Sequence, residues 1–568
     1  MKSFNISIGT AIVALAVAAV PLLTQTVETP IAPIQTEGGL IAGKVLPSGV
    51  RAWFGIPFAK APTQDLRWKP PQPMRWTGVW NADRKMPECI QVLRPHDINH
   101  YFGEEATSED CLYMNIWAPP SSNANSRLPV IVFIYGGGNT IGSSGSALYA
   151  GETMARRGAV FVNFNYRLGI LGFMAHPELT REQGGHSGNY AYLDQNAALR
   201  WVHNNIAKFG GDPSKVVIMG QSAGASAVVQ QTFSPLSKGL FRGAVMSSGC
   251  NWGSAGTPLA DGEKSGLEIQ KSLKAATLED MRNVAADRIL ALQAENQVGR
   301  SVQGFRTGGV IDGYFMPKTQ MEILKAHEMN DVPIIASFNH DESQSPLFQA
   351  KTIADYKEIV ARMFGQDAPA FLALYPVTDD SSIAQQAGNA ARAAGLEANA
   401  RNCAVLMNQY NKSKAYIVTF SRRHPYVPGV KIADQDIATV GAYHTADIPY
   451  WFGTQDAFNM FRKEREWTPL DRKLSEQMSA MLIAFANTGD PSIKDVKWPA
   501  WSPANEVKIE ITDRIATVPL DVKGIEWLKA HPAQVQPGGR GGRGAPGART
   551  GPIDLILDPV TSTKKLVE

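Results

Sequence analysis

Six short runs along the chain are continuously apolar or β-branched: Val130–Tyr135, Ala159–Phe164, Val216–Met219, Gly243–Met246, Val332–Ser337 and Ala415–Phe420. They do not alternate with polar residues, which is the pattern of strands buried on both faces, as in a parallel sheet. Between them lie stretches with helical spacing. From about Tyr190 to Phe209, Leu193, Ala197 and Trp201 form one row, with Ala198, Val202 and Ile206 beside it. Such i, i+4 rows give a stripe that packs on a sheet. A second helix is predicted from about Leu470 to Asn487, where Leu474, Met478, Met481, Leu482 and Phe485 share a face and Gly489 and Pro491 stop it. Near the start, Leu40–Val45 and Val50–Phe54 flank a Pro-Ser-Gly turn and predict an antiparallel hairpin. The prolines at 57, 62, 70, 71 and 73 mark a loop, which Phe54, Phe58, Trp68 and Trp76 pin to the surface. Strands alternating with helices predict an α/β fold.

The ends of the chain read differently. Lys2 followed by an apolar Ile6–Leu23, with Ala16-Val17-Ala18 as small residues for cleavage, reads as a signal peptide over residues 1–24. An uncleaved anchor is the alternative. Secretion or export to a periplasm is the expectation, with no stable membrane insertion once the signal is removed. Residues 536–552 are Gly- and Arg-rich and lack the apolar surface to fold alone, and residues 553–568 form a tail. The formal charge is +3, but without Lys2, Arg540, Arg543 and Arg549 the remainder carries −1, so nucleic acid is not an expected partner.

Two motifs carry chemistry. Gly220-Gln221-Ser222-Ala223-Gly224 directly follows the Val216–Met219 strand, and small residues open the next helix. This is the arrangement of a nucleophile elbow, where a strained turn presents a serine and glycines two residues either side avoid a collision. Tyr135-Gly136-Gly137-Gly138 follows Val130–Ile134. A glycine run there lets backbone N–H groups approach a developing oxyanion. It lacks the lysine and spacing of a phosphate-binding loop. No metal-ligand cluster and no cofactor are indicated. A serine needs a base. In α/β hydrolases the acid and then the histidine follow the serine, which leaves His327, His340, His424, His444 and His531. Pattern alone does not choose among them.

The chain resembles the type-B carboxylesterases, the family of the cholinesterases and fungal lipases. The resemblance runs from about residue 36 to about residue 502. It rests on Phe54-Gly55-Ile56-Pro57-Phe58, Leu66-Arg67-Trp68, the Ser108–Trp117 run, Asn165-Tyr166-Arg167-Leu168-Gly169, Gly188-Asn189-Tyr190, Leu193-Asp194-Gln195, Phe209–Pro213 and the elbow. It implies one α/β-hydrolase domain over about residues 30–535: a large, mostly parallel central sheet with helices on both faces and an N-terminal antiparallel hairpin. It implies a serine carboxylic ester hydrolase acting on a small-molecule ester. Ser222 would be the nucleophile, Glu342 the acid and His444 the base, the last in His444-Thr445-Ala446-Asp447-Ile448-Pro449-Tyr450-Trp451-Phe452-Gly453. The glycine usual after the acid is Ser343 here. The oxyanion hole carries over to the amides of Gly137, Gly138 and Ala223. Asp447, one helical turn from His444, is a rival acid, and the preferred reading makes it a supporting hydrogen-bond partner, with Ser248.

Cys89, Cys111, Cys250 and Cys403 allow three pairings. The resemblance implies a Cys89–Cys111 bridge, worth roughly 3 kcal/mol from its loop length. Cys250 and Cys403 are left as either paired or free. Residues 90–110 hold no tryptophan, only Tyr101 and Phe102 as aromatics. A cage for a quaternary ammonium is therefore not expected. Asn139 stands where an aromatic is usual and would give the acyl pocket a polar handle. Trp252 is expected to line the same pocket. Two alternatives remain at this point: a non-catalytic binding or adhesion protein, and the same triad turned to thioester, carbamate or amide bonds.

Overall fold

A computed structural model describes residues 29–92, 97–99, 106–297 and 308–534. The signal peptide, His96, His100, Tyr101, Phe102, the Gly/Arg-rich segment and the C-terminal tail lie outside the described residues. Twelve strands form the main sheet: β1 (Thr29–Pro30), β2 (Lys44–Val45), β3 (Arg51–Pro57), β4 (Tyr113–Ala118), β5 (Leu128–Ile134), β6 (Val160–Phe164), β7 (Gly211–Gln221), β8 (Gly243–Ser247), β9 (Ile334–Asn339), β10 (Ala415–Phe420), β11 (Val507–Ile511) and β12 (Ile515–Pro519). Their order is β1-β2-β3-β4-β6-β5-β7-β8-β9-β10-β11-β12. The run from β6 through β5 to β11 is parallel. The strands outside it pair antiparallel at both edges. This is the α/β-hydrolase fold with a large mixed sheet.

The six runs picked out by their apolar continuity are all central strands, and β6, β8, β9 and β10 are buried at every position. The predicted Val216–Met219 strand is longer than its apolar part and runs on to Gln221, the residue before Ser222. The helix Tyr190–Asn205 continues as a 3-10 turn over Ile206–Phe209. Pro469–Thr488 opens on a capping box between Thr468 and Asp471 and closes at Gly489, whose φ is +80°. It packs against β5 and β7, while the helix Ala223–Phe233 packs against β7 and β8.

The N-terminal hairpin is shorter than expected. Lys44–Val45 pairs with Arg51–Ala52, but Leu40–Ala42 joins a small separate sheet with Ile34–Gln35 and Val79–Asn81. Gly43 makes the break: a Cβ there would fall 2.3 Å from the Trp53 ring. The proline-rich loop is pinned by indoles, with Trp68 Nε1 donating to the Ile170 carbonyl at 3.1 Å and Trp76 Nε1 to that of Leu40 at 2.9 Å. The sequence pattern missed a second apolar cluster, in which Tyr356, Val360, Phe371 and Ile525 gather with the alanines of Ile383–Ala394. Alanine-rich helices bury a small-residue face that hydropathy barely marks. Among the described residues no helix is long and apolar enough to cross a membrane.

Strand β5 lies between β6 and β7, so the chain order reverses there. A crevice opens outside the carboxyl ends of strands at such a switch. The glycine run follows β5, Ser222 follows β7, Ser248 follows β8 and Glu342 lies just beyond β9. His444 comes from the long connection after β10.

Candidate active site

Ser222 sits between β7 and the helix Ala223–Phe233 with φ 57° and ψ −124°. A non-glycine residue held there is strained. Its amide donates to the Ser247 carbonyl at 2.8 Å, which ties the turn to β8. The flanking glycines are required by contact. A Cβ on Gly220 would meet the Gly224 carbonyl oxygen at 2.1 Å, and one on Gly224 would meet that of Ile134 at 2.1 Å. Gly136 lies against the elbow itself, since its Cβ would fall 2.9 Å from Ser222 Cβ. Gly137 and Gly138 follow with φ +100° and +62°. Ala223 opens the helix, so its N–H has no acceptor four residues back.

Glu342 is 1% exposed at the side chain. Its Oε1 accepts from Ser248 Oγ at 2.7 Å and from the Asn339 amide at 2.6 Å. Its Oε2 accepts from His444 Nδ1. The His444 ring is 46% exposed, and its Nε2 lies 3.1 Å from Gln221 Nε2. The other four histidines left open by pattern go elsewhere. His327 Nδ1 meets the Tyr410 carbonyl, His340 pairs with Asp341, His424 is buried among aromatics and His531 stacks on Trp527. The structure thus brings Ser222, Glu342 and His444 to one end of the sheet, with the glycine run beside them.

The sequence profile of the carboxylesterase family matches residues 30–523. The chain belongs to that family. It is 33% identical to the fumonisin B1 esterase of Sphingopyxis macrogoltabida, over 86% of this chain and 88% of the relative. It is 30% identical to the acylcarnitine hydrolase of Mus musculus, over 88% and 91%. Among solved structures, a thermophilic PNB esterase superposes with a TM-score of 0.69 at 27% identity, over 87% of this chain and 99% of that one. The protein is a carboxylic ester hydrolase.

In this esterase, Asp447 is tied to a different serine from the expected one. Ser247, not Ser248, donates to Asp447, at 2.6 Å. Trp451 Nε1 and Asn339 Nδ2 add donors at 3.1 and 3.2 Å. Adjacent serines at the end of β8 point to opposite sides, so Ser247 faces Asp447 and Ser248 faces Glu342. Burial pushes the Asp447 carboxyl above its usual range. The Trp252 indole packs edge-on against Phe233, the last residue of the helix Ala223–Phe233, and its carbonyl accepts from Asn402. Asn139 has φ +62°, a conformation asparagine tolerates better than most side chains. Its carbonyl accepts from the Gly169 amide at 2.7 Å. Both cysteine pairs are bonded, Cys89 to Cys111 and Cys250 to Cys403.

The loop that carries His444 is held at several points. The amide of Asp341, next to Glu342, donates to the Ala442 carbonyl at 3.1 Å, and the Asp341 carboxylate accepts from the Ala442 amide at 2.7 Å. Thr445 sits at φ +81°, and its hydroxyl donates to Asn99 Oδ1 at 2.7 Å. His424 Nε2 donates to the Ala446 carbonyl at 2.9 Å. Burial, with the Arg465 charge close by, holds His424 down to about 3. A depressed histidine stabilises the fold above its unfolded pKa of 6.5, and that contribution is lost as pH falls from about 6.5 toward 3. At about pH 5.5 the loss from this one group is about 1.4 kcal/mol. Urea unfolding at about pH 7.5 and about 5.5 should show a larger fall for wild type than for His424→Gln. Equal falls would remove His424 from the acid sensitivity.

Proposed function

We propose that the protein is a secreted or periplasmic serine carboxylesterase that works through an acyl-enzyme on Ser222. The observation that carries this is the His444–Glu342 pair beside an elbow that holds Ser222 at φ 57°. His444 takes the Ser222 proton as the hydroxyl oxygen attacks the ester carbonyl. The amides of Gly137, Gly138 and Ala223 receive the oxyanion. His444 then gives the proton to the departing alcohol, and water repeats the steps on the acyl-enzyme. Glu342 orients the imidazole and stabilises its charged form. Residues from 137 to 444 contribute to one site, which supports a single domain over about residues 30–535. Two buried disulfides support an oxidising compartment.

A fluorophosphonate reagent should label Ser222 stoichiometrically, read as a mass shift on the peptide that contains Gly220–Gly224. An active enzyme that resists the reagent, or is labelled elsewhere, would overturn the reading.

The names of the relatives, fumonisin B1 esterase and acylcarnitine hydrolase, share the ester bond and little else, so the reaction transfers to this chain and the substrate does not. Asn139 directly follows the glycine run, and its amide gives the acyl pocket a polar handle. Asn139→Phe should therefore reorder the kcat/KM ranking of esters with polar against apolar acyl groups by about tenfold, on the scale of one lost polar contact. An unchanged ranking would leave Asn139 as a residue chosen for its backbone.

A further inference from the structure

The acyl-enzyme scheme makes no use of the side chain that touches the base from the elbow. Gln221 is buried at the end of β7, and its Nε2 lies 3.1 Å from His444 Nε2. The other ring nitrogen, Nδ1, faces the Glu342 carboxylate. A carboxylate can only accept, so Nδ1 carries the hydrogen and the neutral ring has its lone pair on Nε2. Only a donor satisfies a lone pair. Gln221 must therefore present its NH2 to the ring, an orientation fixed by the network rather than by seeing hydrogens. Its Oε1 then lies on the Gly136 side, where a Cβ on that glycine would come within 3.1 Å. Gly136 leaves room for the amide as well as for Ser222.

We propose that Gln221 is a positioning residue for the base: its uncharged amide holds the Nε2 lone pair of His444 at the elbow in the ligand-free enzyme, releases it to the Ser222 hydroxyl as substrate binds, and favours the unprotonated ring at rest. This rests on the triad reading above. Glu342, from beyond β9, and Gln221, from the elbow, contact the ring, with Ser222 next to Gln221 in the chain and Asp447 as the N-cap of the Ile448–Phe452 helix on the loop's own side. Asp341 grips the loop backbone at Ala442, with His340 and Arg392 behind it. The Glu342 carboxylate on Nδ1 favours a charged imidazole. Gln221 opposes it, because a bond donated to the neutral form disfavours protonation.

The test is the pH dependence of kcat/KM on a p-nitrophenyl ester for wild type, Gln221→Met and Gln221→Glu. Methionine keeps the volume and removes the donor. Its acid limb should rise by about half a pH unit, the scale of one hydrogen bond. Its kcat should fall about 5- to 10-fold with KM changed less than about twofold, since a base is misplaced and no binding contact is lost. Glutamate adds an anion beside the ring and should raise the limb by about one unit or more. Limbs that stay at the wild-type position in both variants would overturn the proposal, as would a rise in KM with kcat unchanged. If the glutamate variant does not fold, the methionine limb decides alone. A Ser222→Ala enzyme that kept its activity would instead overturn the triad reading, which the Gln221 variants leave untouched.

Discussion

Ser222→Ala is expected to lower kcat on p-nitrophenyl esters by about 10⁶-fold, with the fold intact. The size follows from what the hydroxyl does. Without it no acyl-enzyme forms, and the base and oxyanion donors can only assist water, which retains roughly 10³–10⁴ over the uncatalysed reaction. The strain at φ 57° belongs to the backbone between β7 and the helix, so alanine inherits it without adding to it. The Ser222 amide keeps its bond to Ser247 in either case. Wild type and variant should therefore unfold together while differing in turnover. The comparison is made across a series of graded acyl lengths, which sizes the acyl pocket in the wild type. Residual activity above about 1% on any member of the series, after contaminating wild type is excluded by titration, would sink Ser222 as nucleophile.

What could be read from the sequence divides along chain distance. The elbow and the glycine run are local. Gly220 and Gly224 are fixed by contacts within a few residues and one strand away, and the type of residue announces the conformation. The central strands were legible because burial on both faces leaves a continuous apolar run. The hairpin was only half legible, because the break at Gly43 is set by the Trp53 ring across the turn. The base was not legible from pattern at all. Five histidines had equal standing until resemblance pointed to His444, and its partners lie 102 and 223 residues away. The assignment of Ser247 rather than Ser248 to Asp447 depends on which way two neighbouring side chains leave a strand end, across 200 residues. The Gln221 contact was missed for the same reason: a glutamine between two glycines has no signature until the ring it touches is in place.

Glu342→Gln is expected to lower kcat by about 10⁴-fold while leaving KM and stability near wild type. The direction follows from the donors around the carboxylate. Oε1 sits between the Ser248 hydroxyl and the Asn339 amide, at 2.7 and 2.6 Å. The Asn339 N–H cannot turn into an acceptor, so a glutamine must place its oxygen there. Its NH2 then faces His444 Nδ1 and demands a lone pair on that nitrogen. The neutral ring is forced to carry its hydrogen on Nε2, the side facing the elbow, where it can no longer take the serine proton. The damage is thus a wrong tautomer in an undisturbed frame, as well as the loss of the charge that stabilises the imidazolium. Glu342→Asp separates the two effects, because it keeps the charge and shortens the reach. It should recover part of the activity that Gln loses. The readout is kcat at saturating ester for the three enzymes, with ring protonation followed by imidazole nitrogen chemical shifts. A Gln variant within about tenfold of wild type would remove Glu342 from the acid role. An undiminished Nδ1–H signal in that variant would remove the tautomer argument even if activity fell.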